Sequence, residues 1–136
     1  MELLVVMAII VILAGMAMGG AQMARKRGAI TKAKAAIAAL EAAVDMYDQD
    51  LGEYPASGND KMVKALTDTT ITDPDWNGPY MNFKEEDLQD GTYIDAWGNP
   101  YVYTAPGAHH TSSYDIYSYG PNGQDEQGAG DDIHNW

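Results

Sequence analysis

The sequence predicts an α+β protein in which a long N-terminal α-helix packs on a small antiparallel β-sheet domain. An apolar run of membrane length occupies residues 3–23, and apolar residues recur at helical spacing across 30–51. Two later segments, 101–104 and 114–119, are rich in aromatic and β-branched residues, as paired strands are. One long helix followed by short strands is the order of elements typical of an α+β fold.

We divide the chain into a membrane-spanning helix segment (1–24), an amphipathic continuation of the same helix (25–52) and a small globular domain (53–136). At about 1.5 Å per residue the apolar run is about 30 Å long, which matches the hydrocarbon thickness of a bilayer. It is longer than the apolar core of a secretory signal peptide and follows no basic segment, so we do not expect a removable signal.

A carboxylate, Glu2, opens the apolar run. Burying an unpaired charge in a membrane is costly. A helix that serves only as an anchor has no use for this residue, whereas a helix that packs against copies of itself could give it a partner. We therefore expect the N-terminal helix to be an assembly element.

Glycines interrupt the apolar helix at Gly15, Gly19 and Gly20. Gly15 and Gly19 form a GxxxG pair, which permits close helix contact in membranes. Each interior glycine also costs about 1 kcal/mol of helix stability relative to alanine, so Gly19 and Gly20 also form a place where the helix could stretch or melt. Both interpretations remain open.

The second half of the helix carries one apolar stripe at intervals of three and four residues: Ile30, Ala33, Ile37, Leu40, Val44, Tyr47 and Leu51. We expect this stripe to cover the sheet of the globular domain. The helix should end near residues 50–52, because Gly52 is a favourable C-terminal stop and Pro55 follows shortly after it.

The globular domain begins with a turn at 57–60 and a short helix at 61–67, followed by a mostly loop segment at 68–92 with room for a helical turn. The turn chemistry of residues 95–100 leads into the predicted strand 101–104. We expect this strand to pair with 114–119. A loop rich in Gly, Asp and Gln then occupies residues 120–130.

Charge is distributed unevenly along the 136 residues, whose net charge is −12. Five of the eight basic residues lie within 25–34, and from residue 35 onward three basic and nineteen acidic residues give a net charge of −16. Such a domain repels nucleic acid and attracts divalent cations. The chain has no cysteine, so disulfides and thiolate chemistry are excluded.

The remaining residues predict no enzyme. His109 and His110 lie in a loop and His134 lies elsewhere, which is more typical of surface histidines than of a zinc site. The serines have no recognisable nucleophile context. We expect the tyrosines and tryptophans to form the core of the domain and its subunit contacts.

Taken together, the motifs resemble the major pseudopilins of bacterial type II secretion systems, within the type IV pilin-like superfamily. The apolar start with its glutamate and the long amphipathic helix are typical of the superfamily. The motifs that narrow the resemblance are Asp45-Met46-Tyr47, Gly52-Glu53-Tyr54-Pro55, Asp95-Ala96-Trp97-Gly98-Asn99-Pro100-Tyr101, Asp115-Ile116-Tyr117-Ser118 and the terminal Asp131-Asp132-Ile133-His134-Asn135-Trp136. They cover nearly the whole chain, in order and at similar spacing.

The resemblance implies a structural subunit that polymerises through its N-terminal helix into a filament acting as a piston or plug in protein secretion. It implies minor pseudopilins, an inner-membrane assembly platform and an outer-membrane secretin as partners, and a methylated mature N-terminus. One alternative is a major type IV pilus or related surface filament subunit, although the absence of the cysteine pair common in pilins argues against it. A third is a membrane-anchored calcium-binding domain without a filament, against which Glu2 argues.

The sequence departs from the family pattern near its start. The glutamate is the second residue here, so we expect that a leader and the first mature residues are missing. Either Met1 corresponds to the fourth mature position of the family, or the given chain starts from a misassigned codon. Gly19 and Gly20 stand where the family usually has a proline. The basic residues after the apolar run would by themselves place the domain in the cytoplasm. The resemblance implies the opposite orientation, with a periplasmic domain, and we follow it.

The resemblance also implies a calcium site in the C-terminal loop, built from carboxylates and backbone carbonyls. Ca²⁺ takes six to eight oxygen ligands, and a glycine-rich loop lets several carbonyls converge. The expected ligand residues are Tyr119, Pro121, Asn122, Gln124, Asp125, Asp131 and Asp132. Asn122 replaces the usual aspartate, and Asp125, in an apparent insertion, is expected to supply the missing charge. The alternative is a solvated acidic turn.

Overall fold

The computed structural model describes residues 2–136, so Met1 and its expected correspondence to a family position lie outside the described residues. The helices are α1 (Glu2–Leu51) and α2 (Asn59–Thr67), with a single 3₁₀ turn at Glu85–Asp87. The strands are β1 (Leu88–Gln89), β2 (Thr92–Tyr93), β3 (Val102–Thr104), β4 (Asp115–Ser118) and β5 (Ile133–His134). The predicted α+β fold is confirmed.

The 50 residues of α1 form one uninterrupted helix that continues through the glycines. It ends as predicted: Gly52 has a φ of 73°, in the left-handed region where glycine is favoured, and its N–H donates to the Asp48 carbonyl at 2.7 Å. Along the predicted stripe, Ala33, Leu40 and Val44 are fully buried against the domain. The first half of α1 extends away from the domain.

Helix α2 begins at Asn59, two residues earlier than predicted, because Asn59 is a structural residue rather than part of an open turn. Its amide Nδ2 donates to the carbonyls of Tyr93 at 2.8 Å and Tyr101 at 2.7 Å. Its Oδ1 accepts from the Tyr93 N–H at 2.7 Å. A buried side chain with three hydrogen bonds therefore clamps β2 and the segment before β3 to the start of α2.

The main sheet has the order β3-β4-β5, all antiparallel. The predicted pairing of the two aromatic segments is confirmed, with Val102 opposite Tyr117 and Thr104 opposite Asp115. The third strand, β5, was not predicted; it pairs Ile133 with Ser118 and brings the C-terminus back beside β4.

A separate two-stranded antiparallel sheet, β1-β2, lies within and just after the segment predicted to be mostly loop. Lys32 of α1 donates to Asp87, at the end of the 3₁₀ turn, at 2.7 Å. The hydrogen bond to Asp87 raises the pKa of Lys32, and burial of the side chain offsets this effect only in part. This ion pair links the helix to the segment before β1.

The core lies between the second half of α1, α2 and the sheet. Tyrosines contribute much of it, as predicted; the buried ones are Tyr93, Tyr101, Tyr103 and Tyr114. The hydroxyl of Tyr114 donates to Asp45 of α1 at 2.8 Å, and burial together with this carboxylate raises the Tyr114 pKa. The domain thus closes its core around residues 33–44 of α1, and no described side chain between positions 2 and 28 is buried in it.

Candidate metal centre and exposed helix

Three carboxylates converge in the loop between β4 and β5. Glu126, Asp131 and Asp132 each offer an oxygen within 4.8 Å of the others. Like charges this close repel one another, and a bound cation would relieve that repulsion. The arrangement suits a hard cation with oxygen ligands.

Two oxygens of this group, Oδ1 of Asp131 and Oδ1 of Asp132, are buried without a hydrogen-bond partner in the described part of the chain. Their companion oxygens are satisfied by backbone donors. Oδ2 of Asp131 accepts from the Asn122 N–H at 3.1 Å, and Oδ2 of Asp132 accepts from the N–H groups of Glu126 at 3.1 Å and Gly128 at 2.9 Å. Because an unpaired buried carboxylate oxygen is costly, a cation bound by these two aspartates fits the donor set.

Glycines allow the loop to close around the carboxylates. Gly120 has a φ of 67°, and a Cβ there would collide with the Asp131 carbonyl. Gly130 has a φ of 56°, and a Cβ there would collide with the Glu126 carboxylate. A larger residue at either position would therefore strain the backbone, and at position 130 it would also displace the Glu126 carboxylate.

The predicted ligand Asn122 lies at this group. Its Nδ2 donates to Glu126 Oε2 at 3.1 Å, and its Oδ1 accepts from the Gln124 N–H at 2.7 Å. Tyr119, Pro121 and Gln124 lie on the same loop, and their carbonyls as ligands stay a prediction.

The Asp125 side chain forms its hydrogen bonds outside the group of three carboxylates. Its Oδ1 accepts from the Tyr117 hydroxyl at 3.1 Å and from the Gln127 N–H at 3.0 Å, and Asp125 is not among the three grouped carboxylates. Burial and this hydrogen bond raise the pKa of Tyr117. The geometry favours Glu126, which sequence analysis did not single out, as the residue that adds the charge Asn122 lacks.

The turn at 95–100 is hydrogen-bonded to the start of the loop between β4 and β5, which we call the metal loop. Ser118 Oγ donates to Asp95 Oδ2 at 2.6 Å and accepts from the Gly120 N–H at 3.1 Å. Asp95 Oδ1 accepts from the N–H groups of Trp97 and Asn99, each at 2.9 Å. The end of β4, the turn and the start of the loop are therefore one hydrogen-bonded unit.

The C-terminal residue, Trp136, closes the other side of the loop. Its ring stacks on His109 at a centroid distance of 4.0 Å and on His134 at 4.4 Å, and it meets Tyr117 edge-on at 5.8 Å. A Cβ on Gly128 would collide with the indole. His109 is exposed, as expected of a surface histidine, and the structure adds that both His109 and His134 stack on the Trp136 ring.

Asp115 holds the loop that carries the first of these histidines. It is buried and accepts from the N–H groups of His109 at 2.8 Å and His110 at 3.0 Å. Burial by itself would raise the pKa of Asp115, but the hydrogen bonds from His109 and His110 outweigh burial and lower it.

The first part of α1 does not pack against the rest of the described chain. Every described side chain between positions 2 and 28 is exposed, and α1 is long and apolar enough by length and composition to cross a membrane, with a mean hydropathy of 2.6 in its most apolar stretch. A Cβ on Gly15, Gly19 or Gly20 would meet nothing within 4 Å. Glu2 and these glycines thus lie on a surface that the rest of the described chain does not cover.

The family described as type II secretion system (T2SS), protein G matches residues 22–136. The chain belongs to this family. The core protein G of Escherichia coli K12 is 35% identical over 100% of this chain and 87% of its own length. That of Pseudomonas aeruginosa is 33% identical over 99% of this chain and 90% of its own length.

A solved structure agrees with the family assignment. The crystal structure of the major pseudopilin from the type 2 secretion system of enterohaemorrhagic Escherichia coli superposes with a TM-score of 0.53 and 29% identity. The match covers 84% of this chain and 87% of that one. The protein G family is a family of structural subunits, and membership in it favours the secretion subunit over the type IV pilus subunit.

Proposed function

We propose that the chain is the major pseudopilin subunit that polymerises through α1 into a helical filament driving type II protein secretion. The observation that carries this proposal is the division of α1. Residues 33–44 close the core of the domain, whereas the described side chains of residues 2–28 are exposed and nearly all residues of 3–23 are apolar. An exposed apolar surface of this size needs a lipid or protein environment.

Before assembly, the apolar segment anchors the subunit in the bacterial inner membrane as a single span, with the domain on the periplasmic side. In the filament, helices of other copies replace the lipid around residues 3–23. The mechanism is mechanical: growth of the filament pushes folded proteins through an outer-membrane secretin. Minor pseudopilins and an inner-membrane assembly platform are the remaining partners of this proposal, and the mature N-terminus is methylated.

Glu2 is the residue in the apolar segment that needs a partner. We place it against the N-terminal amine of a neighbouring subunit, because opposite charges attract strongly in a low-dielectric helix bundle. Close helix contact through Gly15 and Gly19 is one way to bring the neighbours together. The pair Gly19-Gly20 is also where the helix could lose hydrogen bonds in the filament.

The metal loop binds Ca²⁺ in this proposal. Asp131, Asp132 and Glu126 supply the charge, with Asn122 and the carbonyls of Tyr119, Pro121 and Gln124 as further oxygen ligands. The cation would neutralise part of the acidic domain and hold the C-terminal segment against β4. Its role is structural, since it would fix a loop rather than take part in a reaction.

The test of the filament proposal is the variant Glu2→Ala in the full-length chain, expressed with its secretion system. We expect the monomer to remain in the membrane fraction while filament yield falls, because the helix still inserts but its charge pair is lost. Glu85→Ala, which removes an exposed glutamate of the domain, is the matched control and should assemble normally. Normal filament yield from Glu2→Ala would refute the proposed role of this residue in assembly.

Loss of the gene separates the two filament alternatives. In its host, deletion should leave secreted proteins in the periplasm, and electron micrographs of wild-type cells should show no long surface filaments at native expression. Unchanged secretion together with loss of long surface filaments would support the type IV pilus subunit instead.

A further inference from the structure

The metal loop contains an Asn-Gly pair, Asn122-Gly123, and both residues are exposed. In such a pair the backbone nitrogen of the second residue can reach the side-chain carbonyl carbon of the first, because glycine has no Cβ to obstruct the approach. Attack of this nitrogen closes a five-membered succinimide ring and expels the side-chain nitrogen. The sequence of the loop therefore allows spontaneous deamidation at Asn122.

Hydrogen bonds hold the Asn122 side chain in a position that favours this reaction. Its Oδ1 accepts from the Gln124 N–H at 2.7 Å, so the side chain folds back along the Gly123 peptide that lies between them. The same donor stabilises the negative charge that Oδ1 gains when Cγ is attacked. The Gly123 N–H makes a long hydrogen bond, 3.3 Å to the Gly120 carbonyl, which does not hold it strongly.

The Glu126 carboxylate lies beside the nitrogen that leaves. Asn122 Nδ2 donates to Glu126 Oε2 at 3.1 Å. As the bond between Cγ and Nδ2 breaks, this nitrogen takes up a proton and departs as ammonia. The neighbouring carboxylate stabilises the positive charge that develops on it. The attacking Gly123 nitrogen gives up its own proton to water.

Water completes the reaction by adding to the Cγ carbonyl of the ring and breaking the bond from Cγ to the Gly123 nitrogen. One amide and one water become one carboxylate and one ammonium ion, and nothing is oxidised or reduced. Addition at the other ring carbonyl would give isoaspartate, whose backbone is one atom longer. The N–H groups of Asn122 and Gly123 are both bonded within the loop, to Asp131 and Gly120, so the extra atom would break one of these bonds. Aspartate is therefore the favoured product.

The modification changes what the loop needs in order to stay closed. In the amide form Asn122 donates a hydrogen bond to Glu126, and this contact is attractive. After deamidation both side chains are carboxylates, which repel each other at this distance. The three grouped carboxylates become four, beside two buried oxygens of Asp131 and Asp132 that have no partner in the described part of the chain. A divalent cation relieves this repulsion, and each added charged ligand strengthens its binding.

We propose that Asn122-Gly123 is a self-modification site, at which deamidation gives the metal loop a fourth carboxylate and makes closure of the loop dependent on a divalent cation. The inference rests on the proposed calcium site and adds a step that matures it. A freshly made chain closes the loop through the contact between Asn122 and Glu126, and an aged chain closes it through the cation.

A second Asn-Gly pair in the same chain, Asn77-Gly78, is an internal control. Asn77 is also exposed. Its Nδ2 donates to the Asp75 carbonyl at 3.0 Å, and no donor bonds its Oδ1 among the residues that the structure describes. The Trp76 ring covers Gly78 so closely that a Cβ there would collide with it. We therefore expect Asn77 to deamidate more slowly than Asn122 in the folded chain.

The rate is measured on the full-length chain in detergent micelles, incubated at neutral pH with chelator and sampled by peptide mass spectrometry that separates aspartate from isoaspartate. Asn122 should convert several-fold faster than Asn77, and the difference should largely disappear in guanidinium chloride, where only the shared dipeptide remains. Asn122→Gln should not convert, because its longer side chain would have to close a six-membered ring. Equal or slower conversion of Asn122 in the folded chain would overturn the proposal.

The consequence for the metal is measured by calorimetric titration of the same full-length chain with calcium chloride. Asn122→Asp, which supplies the product, should bind on the order of tenfold more tightly than freshly purified wild type, and aged wild type should approach it. Asn122→Gln keeps an amide and should gain nothing. Asn77→Asp is the matched control, since it adds the same charge outside the loop, and its Kd should be unchanged.

The outcomes separate this inference from the metal site on which it rests. Equal calcium affinity of wild type and Asn122→Asp, or an aged chain that carries isoaspartate and no longer binds calcium, would overturn the modification and leave the metal site standing. Absence of calcium binding from every form, Asn122→Asp included, would overturn both.

Discussion

Replacing Glu126 by glutamine tests the metal centre at the position that the structure adds to the expected ligand set. Glu126→Gln keeps the size of the side chain and removes one of three charges whose oxygens lie within 4.8 Å. A ligand that binds only the folded state stabilises it by about 2.7 kcal/mol at a hundredfold excess over its Kd. For a domain of this size that corresponds to about 10–20 °C in Tm.

The measurement is the Tm of a fragment from Arg25 to Trp136, followed by circular dichroism in calcium and in chelator. The wild-type fragment should have a higher Tm in calcium than in chelator by this full amount. The double variant Asp131→Ala with Asp132→Ala should have the same Tm in both. Glu126→Gln should shrink the difference between the two Tm values, chiefly by lowering the Tm in calcium, because the cation loses one charged ligand. Glutamine in place of a repelling carboxylate should not lower the Tm in chelator.

Asp125→Asn is the matched control, since Asp125 is the adjacent carboxylate but faces Tyr117. It should retain the full calcium response. If Asp125→Asn abolishes the response and Glu126→Gln does not, the assignment of Glu126 is wrong. If the wild type melts identically in calcium and chelator, the loop is only an acidic turn and the metal proposal fails.

Three further predictions concern the helix, the clamp and the acid response. A high-resolution map of the filament should show a break in α1 near Gly19 and Gly20 if the glycines permit melting; an unbroken helix would assign them to close packing. Asn59→Ala should lower the free energy of unfolding by about 2–4 kcal/mol in denaturant titrations, because it removes the acceptor of the Tyr93 N–H and the donors to the Tyr93 and Tyr101 carbonyls. A loss under 1 kcal/mol would refute the clamp. The lowered pKa of Asp115 stabilises the fold above its unfolded value of 3.8, and this contribution is lost as pH falls through the folded pKa. Asp115→Asn should therefore flatten the acid side of the stability profile, and an unchanged profile would contradict this.

Local signals in the sequence were sufficient for the long elements. The stripe from Ile30 to Leu51 repeats over many turns, so its helical period is unambiguous. Gly52 ends the helix because its left-handed φ favours glycine whatever packs around it. The strands β3 and β4 have enough aromatic and β-branched residues to be recognised. Strands β1, β2 and β5 have only two residues each, which is too short for a period of two to be seen.

For the metal loop, the sequence predicted the location of the site but not the full set of residues that form it. Acidic residues in a glycine-rich loop, together with the family resemblance, were enough to place a candidate cation site there. Which of two adjacent carboxylates faces inward depends on the backbone path, and the left-handed glycines set that path. Asp125 therefore turns to Tyr117 while Glu126 joins Asp131, a distinction that no composition or spacing contains.

By itself the sequence determined the class of the protein: a membrane-length helix with a carboxylate, a helical stripe that covers a sheet, and an acidic domain without disulfides. These properties follow from hydrophobic periodicity and charge, which act over a few neighbouring residues. The tertiary structure decided the contacts between distant segments. Asn59 bonds the distant Tyr93 and Tyr101, and the return of the chain through β5 sets the Trp136 ring against His109, so the fold brings together groups that no local rule relates.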